Sequence, residues 1–471
     1  MNYEKLDQIV DSKREEILKT MKKWLAVPSV QAPRSAENAP FGKDVRNMLD
    51  IALADAKDMG FDVKEFDGYA MHAQMGQGEE TMGILCHLDV VPAGDGWTHD
   101  PWGAEIQDGK LFARGVVDDK GPAILTLYAM QAVREAGIPL KDGVRLILGC
   151  DEETGMSDMR YYAAHSDLPT YGFSPDAEFP VINIEKGGLG LLLGKVTSGD
   201  EESAEIPVYE LYAGERPNVV PGSAWAKIGV KDWDAFAAKL NQVIEETGFE
   251  LTLEKIEYGV YRLTAIGVSA HASVPHLGKN AAGMLLIALK KLGAGGASKE
   301  AIACLADIIG LEGDGKSLGI KQQDELSGAL TCNLGILRYD QKYLSARLDI
   351  RYPIMANETE MCGKAVESAA KGGMHVLKAS SHGPHHVSAD HKVVKGLLKA
   401  YTEATGLEGY TIAIGGGTYS RCMPNTVAFG PVFPGDIDPC HIADEYIDIE
   451  KMMLSARIIA RAIAELAGKN E

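Results

Sequence analysis

Apolar residues recur at helical spacing near the start of the chain. Leu6, Ile9, Val10, Ile17, Leu18, Met21 and Leu25 predict an amphipathic helix over residues 3–25, stopped by Pro28. A second helix is expected over 43–59, with Gly60 just past its end. Strand-like runs follow at 61–66, 69–75 and 82–86, so helices covering a sheet are expected, as in an α/β domain. A further helix begins near Pro122, and Gly137 ends it; the apolar run 144–149 then reads as a buried strand. From about Lys186 the pattern changes. Strands are expected at 208–212, 250–258, 260–267, 330–337 and 343–352, with helices at 233–247, 280–292 and 358–371. The stretch Leu-Gly-Ala-Gly-Gly-Ala-Ser over 292–298 reads as a linker between two halves of similar plan. The last part of the chain offers helices at 392–405 and 449–467 and strands at 410–414 and 425–430.

The chemistry sits where these apolar runs stop. Ile84-Leu-Cys-His-Leu-Asp89 ends in two polar groups two residues apart, which a strand projects to the same side. That suits a metal ligand, His87, with an orienting carboxylate, Asp89. Asp118 and Asp119 precede a helix start, where two acids can equally cap the helix. The strand 144–149 runs into Asp151-Glu152-Glu153, acids that repel one another unless solvated or close to a cation. Asp176 follows another short strand. Open α/β sheets bind ligands beyond the carboxyl ends of their strands. One imidazole with several carboxylates and no thiolate suits zinc, manganese or cobalt. The acids exceed what one zinc needs, which allows two ions about 3.5–4 Å apart.

Composition narrows the class. The chain has 471 residues, 45% of them hydrophobic, and a formal charge of -20. The acidic balance argues against nucleic acid or an anionic membrane as partner. Seven scattered cysteines without a Cys-x-x-Cys pair argue against a disulfide framework. The N-terminus lacks an apolar signal core, and no run reaches the roughly 18 residues of a membrane helix. These features predict a cytoplasmic protein.

Taken in order, His87-x-Asp89, Arg114-Gly-x-x-Asp118-Asp119-Lys-Gly121, Asp151-Glu-Glu-Thr-Gly155, Ser174-Pro-Asp-Ala-Glu178 and the late His441 resemble the dinuclear-zinc aminoacylase and carboxypeptidase family. That family includes carboxypeptidase G and succinyl-diaminopimelate desuccinylase. Gly415-Gly-Gly-Thr-Tyr419 and the chain length look most like its peptidase V dipeptidases. The resemblance implies a zinc-peptidase-like catalytic domain with a mixed sheet between helices, in two parts, 1–185 and 385–471. An inserted α+β lid, 186–384, of two similar halves would separate them. It implies that His87 and Asp176 bind one metal, Glu153 and His441 the other, and that Asp118 bridges them. Asp89 would orient His87, Glu152 would be the general base, and Asp119 would be structural. A cis peptide after Asp118 is expected on the same ground. His271 would supply an oxyanion donor, and Asn218, His271, Arg351, Gly416 and Thr418 would contact substrate. Polar-turn or surface roles compete for each of these five.

The implied reaction is hydrolysis of unblocked dipeptides with two divalent ions, zinc first and manganese or cobalt as alternatives. An N-acyl-amino-acid amidohydrolase, a deacetylase or desuccinylase, is the alternative. The enlarged lid would supply His271 within one chain, so a monomer is expected.

Overall fold

The computed structural model describes residues 3–469; Met1, Asn2, Asn470 and Glu471, which belong to the expected catalytic segments, lie outside the described residues. The chain forms two compact units. One comprises the chain up to Ile184, His386–Ile412 and the chain from Gly417; the other comprises Glu185–His385 and Ala413–Gly416.

The first unit is built on a mixed sheet. From one edge the strands are Asp62–Phe66, Ala70–Met75, Gly143–Gly149, Thr81–His87, Tyr171–Ser174, Thr426–Ala428 and Val181–Glu185. The central four run parallel. Parallel strands are covered on both faces, and here the alternation of side chains shows it. Ile84, Cys86, Leu146 and Leu148 enter the core shared with the helices Lys120–Glu135 and Ile449–Ala467. Leu85 and Ile147 enter an opposite cluster with Met159, Tyr162 and Tyr419. The expected first helix is two, Tyr3–Ser12 and Arg14–Leu25. Lys13 breaks it with ψ near 3°, its N–H bonded to the carbonyl of Val10.

The second unit carries one antiparallel eight-stranded sheet, ordered Glu250–Glu257, Val260–Ile266, Ser223–Gly229, Val208–Ala213, Thr331–Tyr339, Tyr343–Tyr352, Gly187–Val196 and His375–His382. Helices Trp233–Thr247, Ala281–Leu292, Lys299–Ile308 and Glu358–Ala370 contribute to its core. The side chains of Asp232 and Asn280 cap the first two of these helices, and Gly248 and Gly293 end them at φ 64° and 71°. The expected linker 292–298 is instead a turn packed inside this unit. Leu292, Ala294 and Ser298 are all buried there.

Candidate metal centre

Three neighbouring parallel strands end together. His87 pairs in register with Gly149, and Ile84 with Phe173 on the other side. Acids begin two residues past the second and third strands, so the carboxyl ends bring His87, Glu152, Glu153 and Asp176 to one place.

His87 is fully buried. Its Nδ1 lies 2.8 Å from the backbone oxygen of Asp89. A carbonyl only accepts, so Nδ1 carries the hydrogen and Nε2 is left with a lone pair. That Nε2 lies 2.8 Å from Oδ1 of Asp118 and 3.8 Å from Oδ2 of Asp176. The other Asp118 oxygen, Oδ2, lies 2.8 Å from Nε2 of His441, which is 3.0 Å from Oε1 of Glu153. Two groups of possible ligands result, His87–Asp118–Asp176 and Asp118–Glu153–His441, each with its ligand atoms within 4.8 Å of one another. Asp118 is common to both.

The electrostatics show what such an arrangement needs. Burial pushes the carboxyls of Asp176, Glu152 and Glu153 up, and neighbouring carboxylates push further. Burial opposes the charged form of Asp118 too, but hydrogen bonds from His441 and His87 hold its carboxyl well below the usual range. Burial likewise works against charge on both histidines, but Asp118 wins, with Asp89 at His87 and Glu153 at His441. His87 is held well above its ordinary value and His441 is pushed up to about 11. Lone pairs 2.8 Å apart require either a proton or a cation between them. Divalent ions on imidazole and carboxylate meet that need and neutralise the crowded acids, and this donor set fits zinc, manganese or cobalt.

Other groups hold the cluster. The peptide between Asp118 and Asp119 is cis. Asp119 precedes the helix Lys120–Glu135 without capping it; its Oδ2 accepts the backbone N–H of His87 at 3.0 Å. Asp89 keeps its carboxylate beside His87, with Oδ1 3.5 Å from Nδ1. Its two oxygens also accept the backbone N–H groups of Glu152 and Glu153, each at 3.2 Å. The hydrogen bond to the imidazole is thus made by the Asp89 backbone oxygen, while the carboxylate expected to orient His87 accepts these two peptide N–H groups. Asp151 turns away from the cluster, accepting from Gln31 Nε2 at 2.6 Å and from the Ser157 N–H at 2.9 Å.

Glu445 lies outside the expected set of site residues. Fully buried, it accepts the N–H groups of Gly115, Val117 and Asp118 at 3.0, 2.9 and 3.3 Å, and pairs with Arg114 at 2.7 Å. Burial and then the charge of Asp118 push it up to about 7. Its spacing of four after His441 is the one signal the sequence carries for it.

Four of the five expected substrate residues belong to the second unit. His271 bridges Val219 in a short antiparallel pair, and its Nδ1 lies 2.7 Å from Ser273 Oγ. The carbonyl of Asn218 accepts the N–H of Ala272 at 2.9 Å, so these two residues share one local structure. Arg351 is braced by Asp349 at 2.6 and 2.9 Å and donates Nη1 to the carbonyl of Gly415 at 3.2 Å, beside Gly416. Thr418 lies in the first unit and caps the short helix Tyr419–Cys422.

The sequence profile of peptidase family M20/M25/M40 matches residues 83–465. The chain is 38% identical over 457 residues to the Bacillus subtilis (strain 168) protein YtjP, covering 97% of this chain and 98% of that protein. It is 33% identical over 471 residues to the Beta-Ala-Xaa dipeptidase of Lactobacillus delbrueckii subsp. lactis, covering 98% of each. Among solved structures, human carnosine dipeptidase 1 is similar in fold, with a TM-score of 0.59, 15% identity and 99% of each chain covered.

Proposed function

This chain belongs to peptidase family M20/M25/M40 and is a metallopeptidase, and from that premise we propose that it hydrolyses the peptide bond of unblocked dipeptides. The observation that supports this most is the Asp118 carboxylate, which gives one oxygen to each of two histidines at 2.8 Å. His87 and Asp176 would hold one divalent ion and Glu153 and His441 the other, with Asp118 between them. When bound, the ions would lower the pKa of a water and polarise the scissile carbonyl.

The chain's own groups do the rest. Glu152 belongs to neither ligand group. Burial and the neighbouring acids raise its proton affinity, so it is fitted to take a proton and pass it on to the leaving amine. Asp89 keeps Glu152 and Glu153 in place through their peptide N–H groups. His271 is assigned the oxyanion, and Arg351 the dipeptide carboxylate, for which a guanidinium fork is the natural partner. Asn218, Gly416 and Thr418 complete the substrate contacts on this reading, with residues 186–384 as the lid. Zinc is preferred over manganese or cobalt. The protein is read as a cytoplasmic monomer; no helix among the described residues is long and apolar enough to cross a membrane.

The substrate assignment is tested by offering a β-alanyl dipeptide, an α-dipeptide, their N-acetylated forms and an N-acetyl amino acid to one preparation. Cleavage restricted to the free-amine dipeptides is expected. Cleavage of the N-acetyl amino acid alone would move the protein to the amidohydrolase branch and leave the metal cluster as described.

A further inference from the structure

Asp158 and Tyr419 are fully buried, and neither has a part in the reaction as read above. The phenol of Tyr419 donates to Oδ2 of Asp158. That same oxygen accepts the backbone N–H groups of Cys150 at 2.5 Å and Asp151 at 2.8 Å. The next two N–H groups, of Glu152 and Glu153, go to Asp89. Every N–H from 150 to 153 thus ends on one of two carboxylates, which bind such groups more strongly than neutral acceptors do. A β-carbon at Gly149 would overlap the Tyr419 phenol and the Asp158 carboxylate, so glycine there lets the pair reach the turn. The Tyr419 ring also stands edge-on to the ring of His87, with centroids 6.1 Å apart.

We propose that the Asp158–Tyr419 pair is a positioning device for the general base: it fixes the turn 150–153 from the buried side and so sets where the Glu152 carboxylate stands. The inference rests on the assignment of Glu152 above. A displacement of about 1 Å in a reacting group can cost about a hundredfold in rate, so a brace of this kind is read in kcat.

The test compares wild type, Tyr419→Phe and Asp158→Asn with a free dipeptide, measuring kcat, KM, bound metal and amide hydrogen exchange. For Tyr419→Phe, kcat falls at least about tenfold while KM stays within about threefold. Bound metal is unchanged. The amides of 150–153 exchange faster, and those of the strand Thr81–His87 exchange as in wild type. Asp158→Asn shows the same pattern more strongly; should it not fold, Tyr419→Phe decides alone. Wild-type kcat in Tyr419→Phe, or a loss of kcat in step with lost metal, overturns the proposal. A wild-type protein that cleaves no dipeptide refutes the assigned activity instead, and faster exchange confined to 150–153 then still decides whether the brace exists.

Discussion

Nε2 of His441 lies 2.8 Å from Oδ2 of Asp118, an acid that also faces His87 through its other oxygen. One carboxylate therefore belongs to both groups of possible ligands, and a pair of metals is proposed to depend on it. Asp118→Asn replaces one of the two anionic oxygens with an N–H donor. It is expected to release metal from both positions and lower kcat/KM more than about 100-fold, since even residues behind metal ligands cost 10–100-fold. Metal analysis of the purified variant, alongside kinetics, checks this.

Glu152, proposed as the general base, allows chemistry to be separated from metal binding. Glu152→Gln keeps size and hydrogen bonding but cannot accept the water's proton. The expected result is wild-type metal content with kcat lowered by about 10²–10⁴. Wild-type turnover in a fully loaded protein would reassign the base.

Asp89 is proposed to support a ligand as well as the base. In Asp89→Asn, one of the two peptide N–H groups of Glu152 and Glu153 meets a donor instead of an acceptor. Metal affinity is expected to drop about 10–100-fold, measurable by equilibrium dialysis. An unchanged affinity would show that these contacts do not hold Glu153.

Away from the centre, His72 makes the fold sensitive to acid. Burial, then the charges of Arg145 and Lys64, bring its pKa down from 6.5 to about 4, and its Nδ1 lies 2.8 Å from the Tyr162 hydroxyl. Between those values the unfolded chain binds a proton that the folded chain does not. Stability is therefore lost as pH falls through that window, by roughly 3 kcal/mol at most. His72→Gln removes this component. Urea unfolding at pH 7 and pH 4.5 should show a smaller acid loss in the variant, and equal losses would contradict the assignment.

Part of the centre is legible because polar groups end apolar strands or follow them within two residues. His87 at the end of one strand, the acids 151–153 after a second and Asp176 after a third stand out for that reason, and the parallel register brings these strand ends together; which of the acids would face a metal follows only from the family resemblance. What holds them was not legible. Asp158 meets Tyr419, and Glu445 meets Arg114, across long separations that local pattern does not encode. The structural role expected of Asp119 is compatible with its bond to the His87 N–H, and its side chain makes no cap hydrogen bond to the helix it precedes. The strand Ser223–Gly229 escaped because its buried positions include Ala224 and Ala226, and alanine carries little strand preference. Small residues misled again at 292–298, where close packing of Ala294 and Ser298 looks, in sequence, like a flexible link.

Dipeptide hydrolysis is proposed to depend on paired metal sites around Asp118. The most direct measurement strips the protein of metal and titrates zinc or manganese back while following cleavage of a free dipeptide. Activity should be absent from the stripped protein and saturate as the second equivalent binds. Full activity without metal, or with Asp118→Asn at any metal concentration, would rule out a reaction that depends on metals held around Asp118.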